Sequence, residues 1–143
     1  MREKIAADIV SALEDSKHNP LEKNRINLVV REPVVIADLS RTAMPLIFVE
    51  SANETREDIS STSREGLIRF NLNLYLQGDA RDSVRNDLIR IVEDSLAKDP
   101  QRGGFAADTS VVEIELITLG EAAPYASVRI VVECRYCYTR KSL

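Results

Sequence analysis

Apolar residues recur at helical spacing from Arg2 to Ser16, where Ile5, Ile9, Ala12 and Leu13, joined by Ala6, share one face. That stripe predicts an amphipathic helix with Arg2, Lys4, Asp8, Glu14 and Asp15 largely off the buried side. Asn19-Pro20 stops it, because proline lacks the backbone donor and clashes with the preceding turn; His18 sits at this stop and reads as a surface residue. Arg25 to Arg31 reads as a strand with Ile26, Leu28 and Val30 on one face. Pro33 interrupts it, which leaves Val34, Val35 and Ile36 for an edge or a separate short strand. Pro45 to Glu50 is a compact apolar strand. The clearest signal runs from Gly66 to Gln77. There Ile68, Phe70, Leu72, Leu74 and Leu76 alternate with Leu67, Arg69, Asn71, Asn73, Tyr75 and Gln77, the pattern of a strand with one buried face.

Gly78 ends that strand and Asp79 suits the N-cap of a second helix, reaching about Lys98, with Val84, Leu88, Ile91, Val92 and Ser95 or Leu96 inward. Its outer face carries Arg81, Arg85, Asp87, Arg90, Glu93, Asp94 and Lys98. A further strand places Val112, Ile114 and Leu116 on one face and Val111, Glu113, Glu115 and Ile117 on the other. Gly120 to Pro124 makes a turn, and Val128 to Thr139 is the last strand. Two segments lack any apolar period. Ser51 to Glu65 (SANETREDISSTSRE) reads as a long exposed loop, a length uncommon in compact domains and often functional. Gln101 to Ser110 reads as a second loop around Gly103-Gly104. The expected fold class is α+β: a mixed, mostly antiparallel sheet of about five strands with two main helices, in the order α-β-β-β-α-β-β. No repeat or composition shift divides the chain, so residues 1–143 are read as one domain.

Composition adds exclusions. A chain of 143 residues can bury a core without staples. Lys plus Arg is 19 against 23 Asp plus Glu, a net charge of -4. That disfavours direct nucleic-acid binding, which needs cationic excess to displace counterions from phosphates. No apolar run approaches the length of a membrane span, and Met1 to Ile5 lacks the apolar stretch of a signal peptide. Two cysteines with no disulfide framework suggest a reducing cytoplasm.

Candidate chemistry is sparse. Cys134-Arg135-Tyr136-Cys137 spells C-x-x-C, but on an alternating strand residues i and i+3 face opposite sides, and a zinc site would need two further ligands. Both thiols read as structural or incidental. Ser95-Leu96-Ala97-Lys98 spells S-x-x-K without the companion elements that acyl transfer requires. No nucleophile elbow, phosphate loop or dinucleotide fingerprint occurs. The expectation is therefore a protein that is not an enzyme and has no cofactor or metal. Glu113 and Glu115 share a strand face at a spacing near that of catalytic carboxyl pairs, but they read first as solvent-face charges matched by Arg129 or Arg135. Apolar and charged residues interleave on the outward faces, with Leu67 and Tyr75, Val111 and Ile117, Val131 and Cys137. Such a face is covered either by a second copy or by a helix of the same chain.

The arrangement as a whole resembles the tail terminator, or tail completion, family of long-tailed bacteriophages. The resemblance lies in element order and turn residues. An N-terminal amphipathic helix precedes a strand pair. Met44-Pro45-Leu46-Ile47-Phe48-Val49 opens the short apolar strand, and Phe70-Asn71-Leu72-Asn73-Leu74-Tyr75-Leu76-Gln77-Gly78 is the alternating strand ending at glycine. Asp99-Pro100-Gln101-Arg102-Gly103-Gly104 closes the second helix, and Val132-Glu133-Cys134-Arg135-Tyr136 carries the charged, tyrosine-bearing end. Related proteins often have an apolar residue just before the Gly-Gly pair, where this chain has Arg102.

The resemblance implies a virion structural protein that forms a ring, usually of six subunits, on the last ring of tail-tube protein. That ring stops tail polymerisation and offers the head-joining surface. The implied partners are further copies of the chain, the tail tube protein and a head completion or connector protein. The implied location is the head-proximal end of the tail in the virion, and the host cytoplasm during assembly. Arg64, Arg102, Glu113, Glu115, Arg129 and Arg135 are the expected subunit or partner contacts. Rival readings are a head–tail connector or neck protein, and a small α+β ligand-binding domain or enzyme.

Overall fold

The structure is a computed structural model and describes residues 2–16, 25–31, 44–77, 82–117 and 125–139. In chain order these form α1 (Arg2–Ser16), β1 (Leu28–Val30), β2 (Leu46–Asp58), β3 (Ser63–Gln77), α2 (Asp82–Ala97), a 3-10 turn (Arg102–Gly104), β4 (Asp108–Ile117) and β5 (Tyr125–Thr139). The five strands make one sheet in the order β1-β2-β3-β5-β4. β1 runs parallel to β2, and every other neighbouring pair is antiparallel. The fold class and element order are those the sequence predicts. The expected strand at Val34 to Ile36, the Asp79 cap, the stops at His18 to Pro20 and at Gly78, and the Gly120 to Pro124 turn lie outside the described residues.

Register explains which side of the sheet is dry. Cross-strand partners project to the same face. One row runs Val49, Leu72, Ile130, Ile114, and the next runs Ile47, Leu74, Val128, Leu116. Both helices pack on that side. Ile5, Ile9 and Leu13 of α1 and Leu88, Ile91, Val92 and Leu96 of α2 join Ile68, Phe70, Leu72, Leu74, Ile130 and Val132 in the core. The helices hold their polar faces outward as amphipathicity requires; on α2, Arg90 pairs with Asp87 at 2.7 Å and with Asp94 at 3.0 Å.

Four expectations are corrected. Ser51 to Glu65 is not a loop. β2 continues through Asp58 and returns as β3, in register from Asn53↔Arg69 to Asp58↔Arg64. The turn is closed by Ile59 and Ser60, whose N–H groups donate to the Ser63 carbonyl at 3.0 and 3.2 Å. The Ser60 hydroxyl also accepts from the Thr62 and Ser63 N–H groups, at 3.3 and 3.1 Å. Hydrophobic alternation reports burial, not pairing; most of this arm lies in solvent, so its ladder leaves no apolar signature.

β1 turns its other face inward. Leu28 is exposed and Val29 buried, because the strand begins only at Leu28, and the parity carried over from the buried Ile26 does not persist. The expected second loop ends sooner, since Asp108 to Ser110 already belong to β4. β4 itself is an edge strand. Ile114 and Leu116 lie on the helix side, as expected, but they are 40% and 54% exposed, and Val112 is 47% exposed. A bulge between Val111 and Glu113 also sets Val111 opposite Val132, against the core and not on the outward face.

Candidate interaction surface

The side of the sheet away from the helices is an ion-paired lattice. Arg69 meets Glu133 directly across the ladder at 2.6 Å, Arg135 meets Glu65 at 3.0 Å, and Arg129 reaches Glu115 at 3.6 Å. Asn71 donates to Glu50 at 3.4 Å, and Arg129 donates through Nε to Asn73 at 3.4 Å. Val131 is buried among these groups, while Leu67 and Tyr75 are half-buried. Neither α1 nor α2 packs here, since the core cluster they share draws only on the other face. Of the expected contact residues, Glu115, Arg129 and Arg135 therefore stand together on this lattice, with Glu113 beside them on β4. Glu113 lies opposite Val131 and has no ion pair among the described residues. Arg64 lies apart, on the arm, 2.6 Å from Asp58.

Arg102 is corrected. It is fully buried and unavailable as a surface contact. Its guanidinium donates to the carbonyls of Leu96 and Asp99 at the C-terminal end of α2 and lies 3.3 Å from Asp8 of α1. Helix C-termini leave carbonyls without partners and favour a cation. One side chain thus satisfies a helix end and ties the two helices together. The turn that places it is left-handed, with φ of 50° at Arg102 and 68° at Gly103. The Asp99 carboxylate holds that turn by accepting from the N–H groups of Gln101 at 3.1 Å and Gly103 at 2.7 Å.

At the base of the arm, sequence reasoning missed a second cluster. Tyr136 lies flat over Gly66, where an added Cβ would fall 2.3 Å from the ring. Its hydroxyl donates to Glu54 at 3.3 Å, and the ring stacks on Tyr138 at 5.5 Å between centroids. Glu54 also receives Arg56 at 2.7 Å and lies 3.6 Å from Arg2 of α1, which ties the arm to the first helix. A glycine inside an alternating strand was the available signal, because it often marks close approach by another group. Gly66→Ala is expected to destabilise by about 2 kcal/mol, as overpacking does when a held ring must move. Urea unfolding checks this, and a change within a few tenths would mean the ring swings away freely.

Burial alone would raise the Glu54 pKa, but the hydrogen bond and charge of Arg56, the charge of Arg2 and the Tyr136 hydroxyl outweigh it and hold the carboxyl below its ordinary range. Burial, followed by the charge of Glu54, pushes the Tyr136 hydroxyl up. A depressed carboxyl contributes stability that is present above its unfolded pKa and lost as pH falls through the folded value. Glu54→Gln should therefore cost about 1 kcal/mol at neutral pH and flatten the acid limb below about pH 4.3, the unfolded glutamate value. Thermal melts from pH 7 down to 3 test this; parallel curves for wild type and variant would refute it.

The remaining candidate groups are placed as follows. The Ser95 hydroxyl is buried and donates to the Ile91 carbonyl at 2.7 Å, while Lys98 is exposed. Cys134 is buried and Cys137 exposed, and both are free thiols. Burial pushes the Cys134 thiol pKa up. Among the described residues, no group of three or more His, Cys, Asp or Glu could hold a metal ion. No helix among them is long and apolar enough to cross a membrane.

No family model and no curated protein matches the chain. Among solved structures, a chain from the virion of a native gene transfer agent particle overlays with a TM-score of 0.43 at 14% identity, covering 92% of this chain and 96% of that one. An overlay that loose assigns neither a shared fold nor an activity.

Proposed function

We propose that the chain is a structural protein of a tailed-phage-type virion. In this reading it is a tail terminator, closing as a ring of six copies on the last ring of tube protein, ending tube growth and presenting the surface that a head completion or connector protein engages. It works by binding and makes or breaks no bond. The observation that carries the reading is the one-sided sheet. Two helices dry one face, while the other carries matched Arg and Glu residues around buried Val131 and half-buried Leu67 and Tyr75. The described elements run α-β-β-β-α-β-β, which supports the reading; of the strand pair quoted for the resemblance, only β1 lies among the described residues.

A ring needs a heterologous contact whose rotation closes. Matched charges such as Glu115 with Arg129 and Glu65 with Arg135 supply register and partner choice more than raw affinity. The arm carrying Arg64 reaches beyond the core and suits contact with the tube. Native mass spectrometry across a concentration series, with negative-stain images of the same samples, tests ring formation. Closed hexameric rings are expected, and Arg129→Glu with Arg135→Glu should shift them towards monomer. A wild-type chain that stays monomeric both alone and on cognate tube ends would overturn the reading.

A further inference from the structure

β4 ends the sheet, and among the described residues no strand pairs with its outer edge. An edge strand presents the N–H and C=O of alternate residues as a template for another strand, and proteins usually blunt such edges with lysine, proline or short length. β4 is ten residues long and contains no lysine, arginine or proline. Its two sides differ in chemistry. Ile114 and Leu116 stand half-exposed on the helix side, next to a shallow groove lined by Glu93, Val111, Val112, Glu113 and Ile114. Glu113 and Glu115 project from the opposite side. Glu113 has no ion pair among the described residues, and the Glu115 contact with Arg129 is a loose one at 3.6 Å.

We propose that this edge takes up an extended segment of a partner protein in which lysine or arginine alternates with apolar residues. The backbone edge selects an extended chain. The Ile114–Leu116 side selects apolar side chains at every second position, and the glutamates select cations at the positions between. The edges of a second copy fit less well. β4 against β4 in the antiparallel register centred on Ile114, the one that sets the apolar residues of both copies together, would put Glu113 opposite Glu115, and like charges directly opposed are destabilising. β1 is three residues long, and its register puts Leu28 and Val30, not a cation, on the glutamate side. The proposal stands whether or not the chain closes into rings.

The test titrates the intact chain with a labelled nine-residue peptide alternating lysine and valine, read by fluorescence anisotropy. Two controls accompany it: the glutamate–valine counterpart, and the lysine peptide N-methylated along one edge. The lysine peptide should bind about tenfold or more tighter than the glutamate peptide, given the energies of two cross-strand charge pairs, and N-methylation should abolish binding. Glu113→Lys with Glu115→Lys should invert the preference. Ile114→Lys should weaken the lysine peptide about tenfold, with circular dichroism and Tm unchanged because Ile114 is already half in solvent. Equal affinity for the two peptides, or undiminished binding after N-methylation, would overturn strand addition. So would a wild-type self-association that Ile114→Lys removes, which would assign the edge to a second copy.

Discussion

Arg102→Ala is expected to lower stability by about 3–5 kcal/mol, the range for breaking a buried charged pair by removing one member. The guanidinium is fully buried. Its loss would leave the Leu96 carbonyl without the side-chain donor, the Asp99 carbonyl with only the residue-102 backbone N–H, and Asp8 without its cation. Arg102→Met keeps much of the volume but none of the donors, so it should recover only a small part. Arg102→Lys should recover more yet fall short, because a point charge on a flexible stem cannot replace a planar fork that serves several acceptors. Urea denaturation with unchanged m-values would measure each. A loss below about 1 kcal/mol for Arg102→Ala would mean that water satisfies the helix end equally well.

Phe70→Ala should be comparably damaging, at about 3–5 kcal/mol for an aromatic truncated in a core. Phe70 is fully buried in the central strand β3, between Ser51 of β2 and Val132 of β5. Cross-strand neighbours on both sides restrict collapse around the void. The matched control is Leu116→Ala on β4, which is apolar and lies on the same side of the sheet but is half-exposed; it should change stability by no more than about 0.5 kcal/mol. Equal losses at the two sites would mean that the helix side of β4 is covered, against the half-exposed Leu116 seen here.

How much was legible follows from what hydrophobic pattern measures. Ile68 to Leu76 alternate and are all buried, so the central strand, both helices and the element order were readable from residues alone. The arm from Ser51 to Glu65 was not, because both sides of its ladder are polar and pairing without burial leaves no period. Val112, Ile114 and Leu116 alternate like a core strand, yet they lie at the sheet edge. Pattern gives the side a residue faces only while the pairing stays regular, which fails across the β4 bulge, and it does not show whether a helix reaches over that side. Arg102 misled for a related reason. Arginine is rarely fully buried, and only the geometry of the α2 end shows why it is here. Glu115, Arg129 and Arg135 were brought onto one face by strand parity and could be read; Glu54 and Tyr136 meet across 82 residues, with Gly66 as the one local hint.

The partly exposed surfaces share a physical logic. An ion-paired sheet face and an open acidic edge strand add little to an isolated monomer, in which exposed ion pairs contribute at most about 1 kcal/mol each. Their charge would set register and specificity in an assembly.

The measurement that bears most directly on the proposed role is electron microscopy of cognate tail tubes polymerised with and without the purified chain, the chain carrying a gold label. A terminator predicts label at one end of each tube, as a single added ring, and tubes that stop lengthening once capped. Label spread along the tube walls, or absent from tubes that grow on unchanged, would contradict it.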